Sequence, residues 1–204
     1  MKKVAIIDYG MGNLGSISNM VKFLGHEPII SSEKDTIKNS EYLILPGVGK
    51  FDAAINNLKD RDIFNLLQDL SKDQNIHILG ICLGMQLMCL NSEEGNLEGL
   101  GIFDAEVKSF RKNISKSLKV PHMGWNFIYK TQNSQLLNSI DNARFYFVHS
   151  FFVESNKDNE VLFKTEYGID FVSGLKNNNN VGVQFHPEKS HKYGKEFFKD
   201  FLEN

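Results

Sequence analysis

Short apolar strands alternate with helices through the first half of the chain, and this alternation limits the possible folds more than any other feature of the sequence. The predicted strands cover residues 3–8, 28–31, 42–45 and 76–81. The predicted helices cover residues 13–24, 51–70 and 84–91. Strands that are apolar throughout and separated by helices are typical of a parallel sheet covered by helices.

The second half of the chain is instead rich in strands, and a helix is predicted at residues 191–203. The asparagine run at residues 177–180 indicates a hairpin tip. Since no linker or repeat separates the halves, we predict one α/β domain over residues 1–204, with a central, mostly parallel sheet flanked by helices and additional antiparallel strands. The further predicted strands cover residues 101–109, 125–130, 144–149, 160–166, 169–175 and 181–185.

Charge and hydropathy argue against two classes of partner. The 204 residues include 23 Lys and Arg against 25 Asp and Glu, a net charge of −2, whereas phosphate binding needs a basic surface. No apolar run approaches the length of about 20 residues that spans a bilayer. The N-terminal apolar run reaches Asp8 too soon for a signal peptide. We therefore expect a cytoplasmic protein that binds neither nucleic acid nor membrane.

The segment Gly-Ile-Cys-Leu-Gly at residues 80–84 lies between a predicted strand and a predicted helix. A nucleophile elbow has this arrangement: a strained turn lifts one side chain, here Cys82, above the sheet edge, and flanking glycines let the backbone close tightly. The helix that follows favours a thiolate, and backbone N–H groups at its start can hold an oxyanion. The alternative is a buried structural cysteine, because free cysteine is among the most buried residue types.

A cysteine nucleophile needs a base, and the base needs an orienting carboxylate. In the segment Gln-Phe-His-Pro-Glu at residues 184–188, His186 and Glu188 follow an apolar strand and can extend toward the same face. Pro187 between them keeps a helix from forming. Cys82, His186 and Glu188 are therefore predicted to form a catalytic triad. No cluster of His, Cys and Asp has the spacing of metal ligands.

Together these motifs resemble the class I glutamine amidotransferases, and Leu-Pro-Gly-Val-Gly at residues 45–49 is similar to the oxyanion segment of that family. Within the family, the chain most resembles the glutaminase subunits of imidazole glycerol phosphate synthases, which serve histidine biosynthesis. The motifs that carry this resemblance span nearly the whole chain, at residues 8–14 (DYGMGNL), 46–49 (PGVG), 120–126 (VPHMGWN), 145–150 (FYFVHS) and 186–190 (HPEKS).

The resemblance implies a glutaminase that needs neither a cofactor nor a metal. Cys82 would attack the side-chain amide of glutamine and form a γ-glutamyl thioester. His186 would take the thiol proton and protonate the departing ammonia, and Glu188 would orient His186. The further residues implied in the site are Leu83 with Gly47 and Val48, which would hold the oxyanion, and Gln86, Ser150 and Phe151, which would contact glutamine.

The resemblance also implies a partner, because ammonia released into water at neutral pH becomes mostly ammonium, which is not nucleophilic. In the family a separate (β/α)8-barrel cyclase receives the ammonia through a protected tunnel. Trp125 and Lys189 match family positions at that interface, although Trp125 without this match reads as a core residue. Residues 50–54 and His191 differ from the commonest family versions. These differences leave open a paralogous glutaminase that supplies ammonia for amination of a bacterial surface sugar.

Three other functions fit parts of the sequence. Gly-x-Gly-x-x-Gly at residues 10–15 matches the dinucleotide-binding fingerprint of dehydrogenases, but this interpretation leaves the predicted triad without a role. A free-standing γ-glutamyl peptidase would keep the triad and need no partner. A catalytically inactive regulatory subunit is disfavoured, because all three triad residues are present.

Overall fold

The computed structural model describes residues 1–131, 134, 136–137 and 142–203. Its strands are β1 Lys3–Ile7, β2 Glu27–Ser31, β3 Tyr42–Leu45, β4 His77–Ile81, β5 Asn91–Ser92, β6 Ala105–Ser109, β7 His122–Phe127, β8 Tyr129–Lys130, β9 Arg144–His149, β10 Phe151–Ser155, β11 Val161–Glu166, β12 Asp170–Asn177 and β13 Asn180–Val183. Its helices are α1 Leu14–Phe23, α2 Lys34–Lys38, α3 Phe51–Asp60, α4 Phe64–Leu70, α5 Leu83–Leu87, α6 Phe110–Asn113 and α7 His191–Glu203.

The centre of the main sheet is parallel. Strands β2, β1, β3, β4 and β13 lie side by side in this order and run in the same direction. Beyond β13, strands β12, β10 and β6 pair antiparallel in turn, and β11 joins β12 to the short β8. Strands β7 and β9 form a separate antiparallel pair. The predicted α/β class, with a parallel centre and added antiparallel strands, is confirmed.

Helices cover the parallel strands on both faces, because successive residues of a strand point to opposite sides of the sheet. In β1, Ala5 and Ile7 pack with residues of α3, α4 and α5, whereas Val4 and Ile6 pack with residues of α1 and α7. All of β3 is buried, which explains its continuous apolar sequence. Because β3 and β4 run parallel in register, the segments that follow them leave the sheet at the same edge.

The predicted helix over residues 51–70 is wrong in one respect, since it is divided into α3 and α4. Asp62 lies between them with φ 56°, in the left-handed region, where a right-handed helix cannot continue. The N–H of Asp62 bonds to the carbonyl of Lys59, and that of Ile63 to the carbonyl of Leu58, both at 2.9 Å. This pair of bonds closes the end of α3. Aspartate tolerates the conformation better than most residues, so neither glycine nor proline marks the break.

The predicted helix over residues 84–91 ends early, at Leu87. Non-local bonds satisfy the carbonyls at its end: Leu100 donates to Leu87, and both Ile102 and Phe103 donate to Met88. The chain then turns into β5, which pairs with β6. The sequence also left α2, α6 and β10 unpredicted and placed the start of β6 four residues too early. Strand formation in this part of the sheet depends on pairing with neighbours that are distant in sequence.

No helix in the described part of the chain is long and apolar enough to cross a membrane.

Candidate active site

Cys82 stands at a strained turn between β4 and α5. Its φ of 54° and ψ of −108° are unfavourable for a residue with a side chain, and its N–H is held by the carbonyl of Val183 at 2.8 Å. The two flanking glycines are required because no other side chain would fit. A Cβ on Gly84 would lie 1.9 Å from the carbonyl oxygen of Leu45, and one on Gly80 would lie 2.5 Å from Met88 Sδ. The backbone therefore has the geometry of the predicted elbow.

His186 and Glu188 form a buried pair just after β13, which lies beside β4, so the pair is at the same edge of the sheet as Cys82. Nδ1 of His186 lies 2.8 Å from Oε1 of Glu188, and both side chains are 2% exposed. The other ring nitrogen, Nε2, is buried and has no hydrogen-bond partner among the described residues. One nitrogen of the histidine is thus held by the carboxylate, and the other is available to a substrate or to the thiol.

The electrostatics of this pair favour a protonated histidine. Burial by itself would lower the pKa of His186, but the negative charge of an ionised Cys82 and the contact with Glu188 outweigh it and raise the pKa to about 10. A protonated His186 therefore lies beside the sulfur of Cys82, where it would stabilise a thiolate. Such a pair can attack a carbonyl carbon and then return a proton to the leaving group.

A cavity of about 410 Å³ opens in front of Cys82. Of the residues predicted around a substrate, Gly47 is not part of the cavity lining but packs against the elbow, where an added Cβ would come within 2.6 Å of Leu83 Cβ. Glu94, which was not predicted from the sequence, also lines this cavity and carries a carboxylate. No motif marks Glu94, because it is brought to the cavity by a turn that is distant in sequence from the other residues of the site. The cavity is lined by Val48, Gly49, Cys82, Leu83, Gln86, Glu94, Pro121, Val148, His149, Ser150 and Phe151.

The family model "Glutamine amidotransferase class-I" matches residues 5–204 of the chain. The chain belongs to the class I glutamine amidotransferase family. Among curated proteins, it is 44% identical over 200 residues to "Imidazole glycerol phosphate synthase subunit HisH 2" of Methanococcus maripaludis, with 98% of each chain covered. It is 40% identical to "Imidazole glycerol phosphate synthase subunit HisH" of Archaeoglobus fulgidus, with 98% of this chain and 97% of that one covered.

Solved structures support the fold of this amidotransferase. A structure described as a glutamine amidotransferase superposes with a TM-score of 0.75 at 16% identity, covering 98% of this chain and 97% of the other. A glutamine amidotransferase from Thermotoga maritima gives a TM-score of 0.66 at 20% identity, covering 99% of this chain and 84% of the other. The arrangement of strands and helices is therefore one that distantly related sequences share.

The glycine-rich segment that resembled a dinucleotide fingerprint packs against the Pro-Gly-Val-Gly segment of the amidotransferase. Gly12 has φ 102°, and a Cβ there would lie 2.8 Å from Pro46 Cβ. The buried hydroxyl of Tyr9 donates to the carbonyl of Pro46 at 2.5 Å. Contact with the predicted oxyanion segment thus accounts for the glycine at position 12 without a bound nucleotide.

Two buried histidines beside the cavity form a directional chain of hydrogen bonds. The carbonyl of Phe151 can only accept, so Nδ1 of His149, 2.7 Å away, carries a proton and Nε2 of His149 accepts. Nδ1 of His122, 2.9 Å from that Nε2, must then donate to it. Nε2 of His122 accepts from the side-chain amide of Asn126 at 3.2 Å. Both histidines are therefore neutral, with the proton on Nδ1.

We expect the protein to lose stability as the pH falls below about 6.5, the ordinary histidine value. Burial lowers the pKa of His122 to about 4 and that of His149 to about 3. Between these values and 6.5 the unfolded chain binds more protons than the folded one. As the pH falls through this range, the free energy of unfolding decreases by up to about 1.4 kcal/mol per pH unit for each histidine. The loss levels off once the pH is below the pKa of that histidine in the folded protein. Urea unfolding at a series of pH values measures the slope.

Histidine NMR separates this effect from the titration of carboxylates. The ring signals of His122 and His149 should stay those of the neutral Nδ1–H form between pH 5 and 8. Titration of either ring with a midpoint near 6.5 would contradict the hydrogen-bond chain.

Strand β7 presents apolar side chains to solvent at every second position, and Tyr129 of β8 continues the row. Met123 is 61% exposed, Trp125 and Phe127 are each 44% exposed, and Tyr129 is 57% exposed. We call these four residues the β7 stripe. Alternation along a strand puts them on one side, where a contiguous apolar row is typical of a protein interaction site. The alternative interpretation of Trp125 as a core residue is wrong.

Basic and aromatic groups surround Trp125. The ring of His191 stacks on it, with centroids 5.7 Å apart and planes 6° apart, and the guanidinium of Arg144 lies 5.8 Å from its centroid. Trp125 pairs across the strands with Tyr146, and Nζ of Lys189 lies 6.0 Å from the Tyr146 ring. The two predicted interface residues therefore both lie next to the ring of Tyr146.

Proposed function

We propose that this chain is the glutaminase subunit of an imidazole glycerol phosphate synthase, which hydrolyses glutamine to glutamate and ammonia and passes the ammonia to a cyclase subunit. The observation that carries the proposal is the buried His186–Glu188 pair beside Cys82, which lines a cavity large enough for an amino acid. Curated relatives at 38–44% identity over nearly the whole chain carry the name of this subunit.

The chemistry follows from the charged Cys82–His186 pair. The thiolate of Cys82 attacks the amide carbon of glutamine, and the oxyanion that forms is held by backbone N–H groups at Leu83 and at the 47–48 segment. The intermediate collapses when His186 gives its proton to the departing nitrogen, which leaves as ammonia. Neutral His186 then takes a proton from water, the resulting hydroxide cleaves the thioester, and glutamate and the thiolate are restored.

A carboxylate and several neutral polar groups on the cavity wall suit the polar groups of glutamine. Among the described residues that line the cavity, Glu94 alone has a carboxylate, and a carboxylate is the natural partner of the α-ammonium group. One of its oxygens already accepts the N–H of Phe51 at 3.0 Å, which anchors it at the start of α3. Gln86 and the backbone at Ser150 and Phe151 line the rest of the cavity and are the proposed contacts of the remaining polar groups.

The β7 stripe is the proposed docking surface for the cyclase. Exposed aromatic residues beside basic groups are common in the centres of protein interfaces. Tyr146, opposite Trp125 in the sheet, accepts the N–H of His186 on its carbonyl at 2.9 Å. A partner bound at Trp125 would therefore lie one strand from the triad, close enough to receive ammonia before it meets water.

Replacing Trp125 or Lys189 with alanine should weaken binding of the cyclase by about tenfold, about 1.4 kcal/mol, because residues near the centre of an interface often contribute this much. Stimulation of glutaminase activity by the cyclase should fall in parallel. Calorimetry and glutamate release measure the two effects. Phe23→Ala is the matched control, since Phe23 is 65% exposed but lies in α1, outside the β7 stripe. A large loss of thermal stability in the Trp125 variant, with binding unchanged, would contradict the assignment.

The proposed function is tested by measuring glutamate release from glutamine with and without a histidine-pathway cyclase. Stimulation by the cyclase, together with glutamine-dependent synthesis, is the expected result. Rapid hydrolysis of larger γ-glutamyl substrates without a partner would point to a free-standing peptidase. Copurification from the native host identifies the acceptor, because a histidine-pathway cyclase and a partner in surface-sugar amination would be captured as different proteins.

A further inference from the structure

Gln184 faces the sulfur of Cys82, although neither the triad nor the predicted glutamine contacts include it. Its side chain is fully buried, and its Nε2 lies 3.6 Å from Cys82 Sγ. The backbone N–H of Gln184 donates to the carbonyl of Ser173 at 3.0 Å, which holds the residue against β12. The side chain that contacts the sulfur therefore belongs to a buried residue whose backbone is hydrogen-bonded to β12.

The neighbours of Gln184 determine which end of its amide faces the sulfur. The carbonyl of Phe151 can only accept, so the amide nitrogen of Gln86 faces it at 3.3 Å. The same nitrogen lies 3.0 Å from the Gln184 side chain, and a donor there requires the oxygen of Gln184. The nitrogen of Gln184 is then directed at the sulfur. The orientation follows from a backbone carbonyl, whose role as acceptor is fixed.

A donor in this place acts differently on the thiol and on the thiolate. Hydrogen bonds to an ionised acceptor are about twice as strong as those between neutral groups, so the N–H of Gln184 favours the ionised sulfur. The carbonyl of Val148, 3.9 Å from the sulfur, can accept only from the protonated thiol and so opposes ionisation. The amide of Gln184 therefore favours ionisation of Cys82, as a protonated His186 does, whereas the carbonyl of Val148 opposes it.

We infer that Gln184 is a further catalytic residue, whose side-chain N–H holds the sulfur of Cys82 ionised and directed at the cavity. The inference rests on the proposed function, since it concerns the same nucleophile. No bond to Gln184 forms or breaks, and its proton stays on nitrogen throughout. Gln86 supports the residue from behind and links it to Phe151 in the cavity wall.

Losing this donor should leave a distinctive signature in the reactivity of the sulfur. One hydrogen bond to a charged group corresponds to about one pH unit in the midpoint of ionisation. Below the midpoint, the thiolate population of a variant falls about tenfold, whereas its intrinsic nucleophilicity rises about threefold, because nucleophilicity increases with basicity. The variant should therefore react about threefold more slowly at low pH and about threefold faster at high pH, so that the two pH profiles cross.

The test measures alkylation of Cys82 by iodoacetamide between pH 5 and 10, by mass spectrometry. The chain has two cysteines, so a Cys89→Ala background leaves Cys82 as the single thiol. In that background, Gln184→Leu removes the donor, and Gln184→Met removes it with an unbranched side chain of nearly the same length as glutamine. Gln68→Leu is the matched control. It removes a partly buried hydrogen bond from the side-chain amide of Gln68, in α4, to the carbonyl of Leu100, and this bond lies outside the cavity.

We expect the midpoint to move to higher pH by about one unit in both Gln184 variants, with the control unchanged. If Gln184→Leu does not fold, as judged by circular dichroism, Gln184→Met decides the question. Rate–pH profiles of the variants that superpose on that of the parent overturn the inference. Profiles that differ from the parent by one constant factor at every pH also overturn it, because a change in access to the thiol scales all rates equally. Glutamate release by the parent with its cyclase tests the proposed function separately, because alkylation requires no glutamine.

Discussion

Replacing Cys82 with alanine is expected to abolish glutamine-dependent synthesis by the complex while leaving synthesis from added ammonium salts intact. Removal of the nucleophile from a triad enzyme lowers turnover on the order of 10⁵–10⁶-fold, because no other group can form the covalent intermediate. Alanine adds no volume at the strained turn, so the cavity and the partner surface should persist. Product formation by the complex with glutamine, and then with ammonium chloride, measures the two activities.

Cys89→Ala is the matched control for this experiment. Cys89 is buried near the end of α5, and burial raises the pKa of its thiol far above the usual range, so it stays protonated and unreactive. This variant should retain both activities. Glutamine hydrolysis that survives in Cys82→Ala but disappears in Cys89→Ala would show that the nucleophile had been assigned to the wrong cysteine.

Glu188→Gln should lower glutamine turnover on the order of 10³–10⁴-fold, the size of effect seen when the carboxylate of a triad becomes an amide. The charge of Glu188 helps to keep His186 protonated opposite the thiolate, and its Oε1 fixes which ring nitrogen carries a proton. An amide of the same shape removes the charge, and it no longer determines which ring nitrogen of His186 carries the proton. Steady-state glutamate release measures the loss, and synthesis from ammonium salts should again continue.

The pH dependence distinguishes this effect from general damage. Without the carboxylate, the pKa of His186 should fall, so the protonated histidine should be lost at lower pH than in the parent. Glu98→Gln is the control, since Glu98 is exposed and lies outside the cavity. Parent-like turnover in Glu188→Gln would contradict the triad, and an equal loss in Glu98→Gln would show that the change of charge alone is responsible.

Parts of the site were predictable because they depend on residues that are adjacent in sequence. The elbow needs a strand, two glycines and a helix within a few residues, and the His186–Glu188 pair needs a strand end with proline between its members. The breaks at Asp62 and Leu87 were not predictable, because capping bonds stop these helices where the local sequence allows them to continue. Glu94 was missed for a related reason: its place at the cavity depends on a turn that packs against the start of α3.

The sequence by itself determined the α/β class, the order of the central elements and the positions of Cys82, His186 and Glu188, because hydrophobic periodicity and tight turns are properties of neighbouring residues. Only the tertiary structure decided that Trp125 faces solvent, that His122 and His149 are neutral, and that Gln184 directs its nitrogen at Cys82. These features join residues that lie far apart in the chain, 102 positions in the case of Gln184 and Cys82. Strand register sets such contacts, and register follows from the packing of the whole sheet rather than from any local pattern.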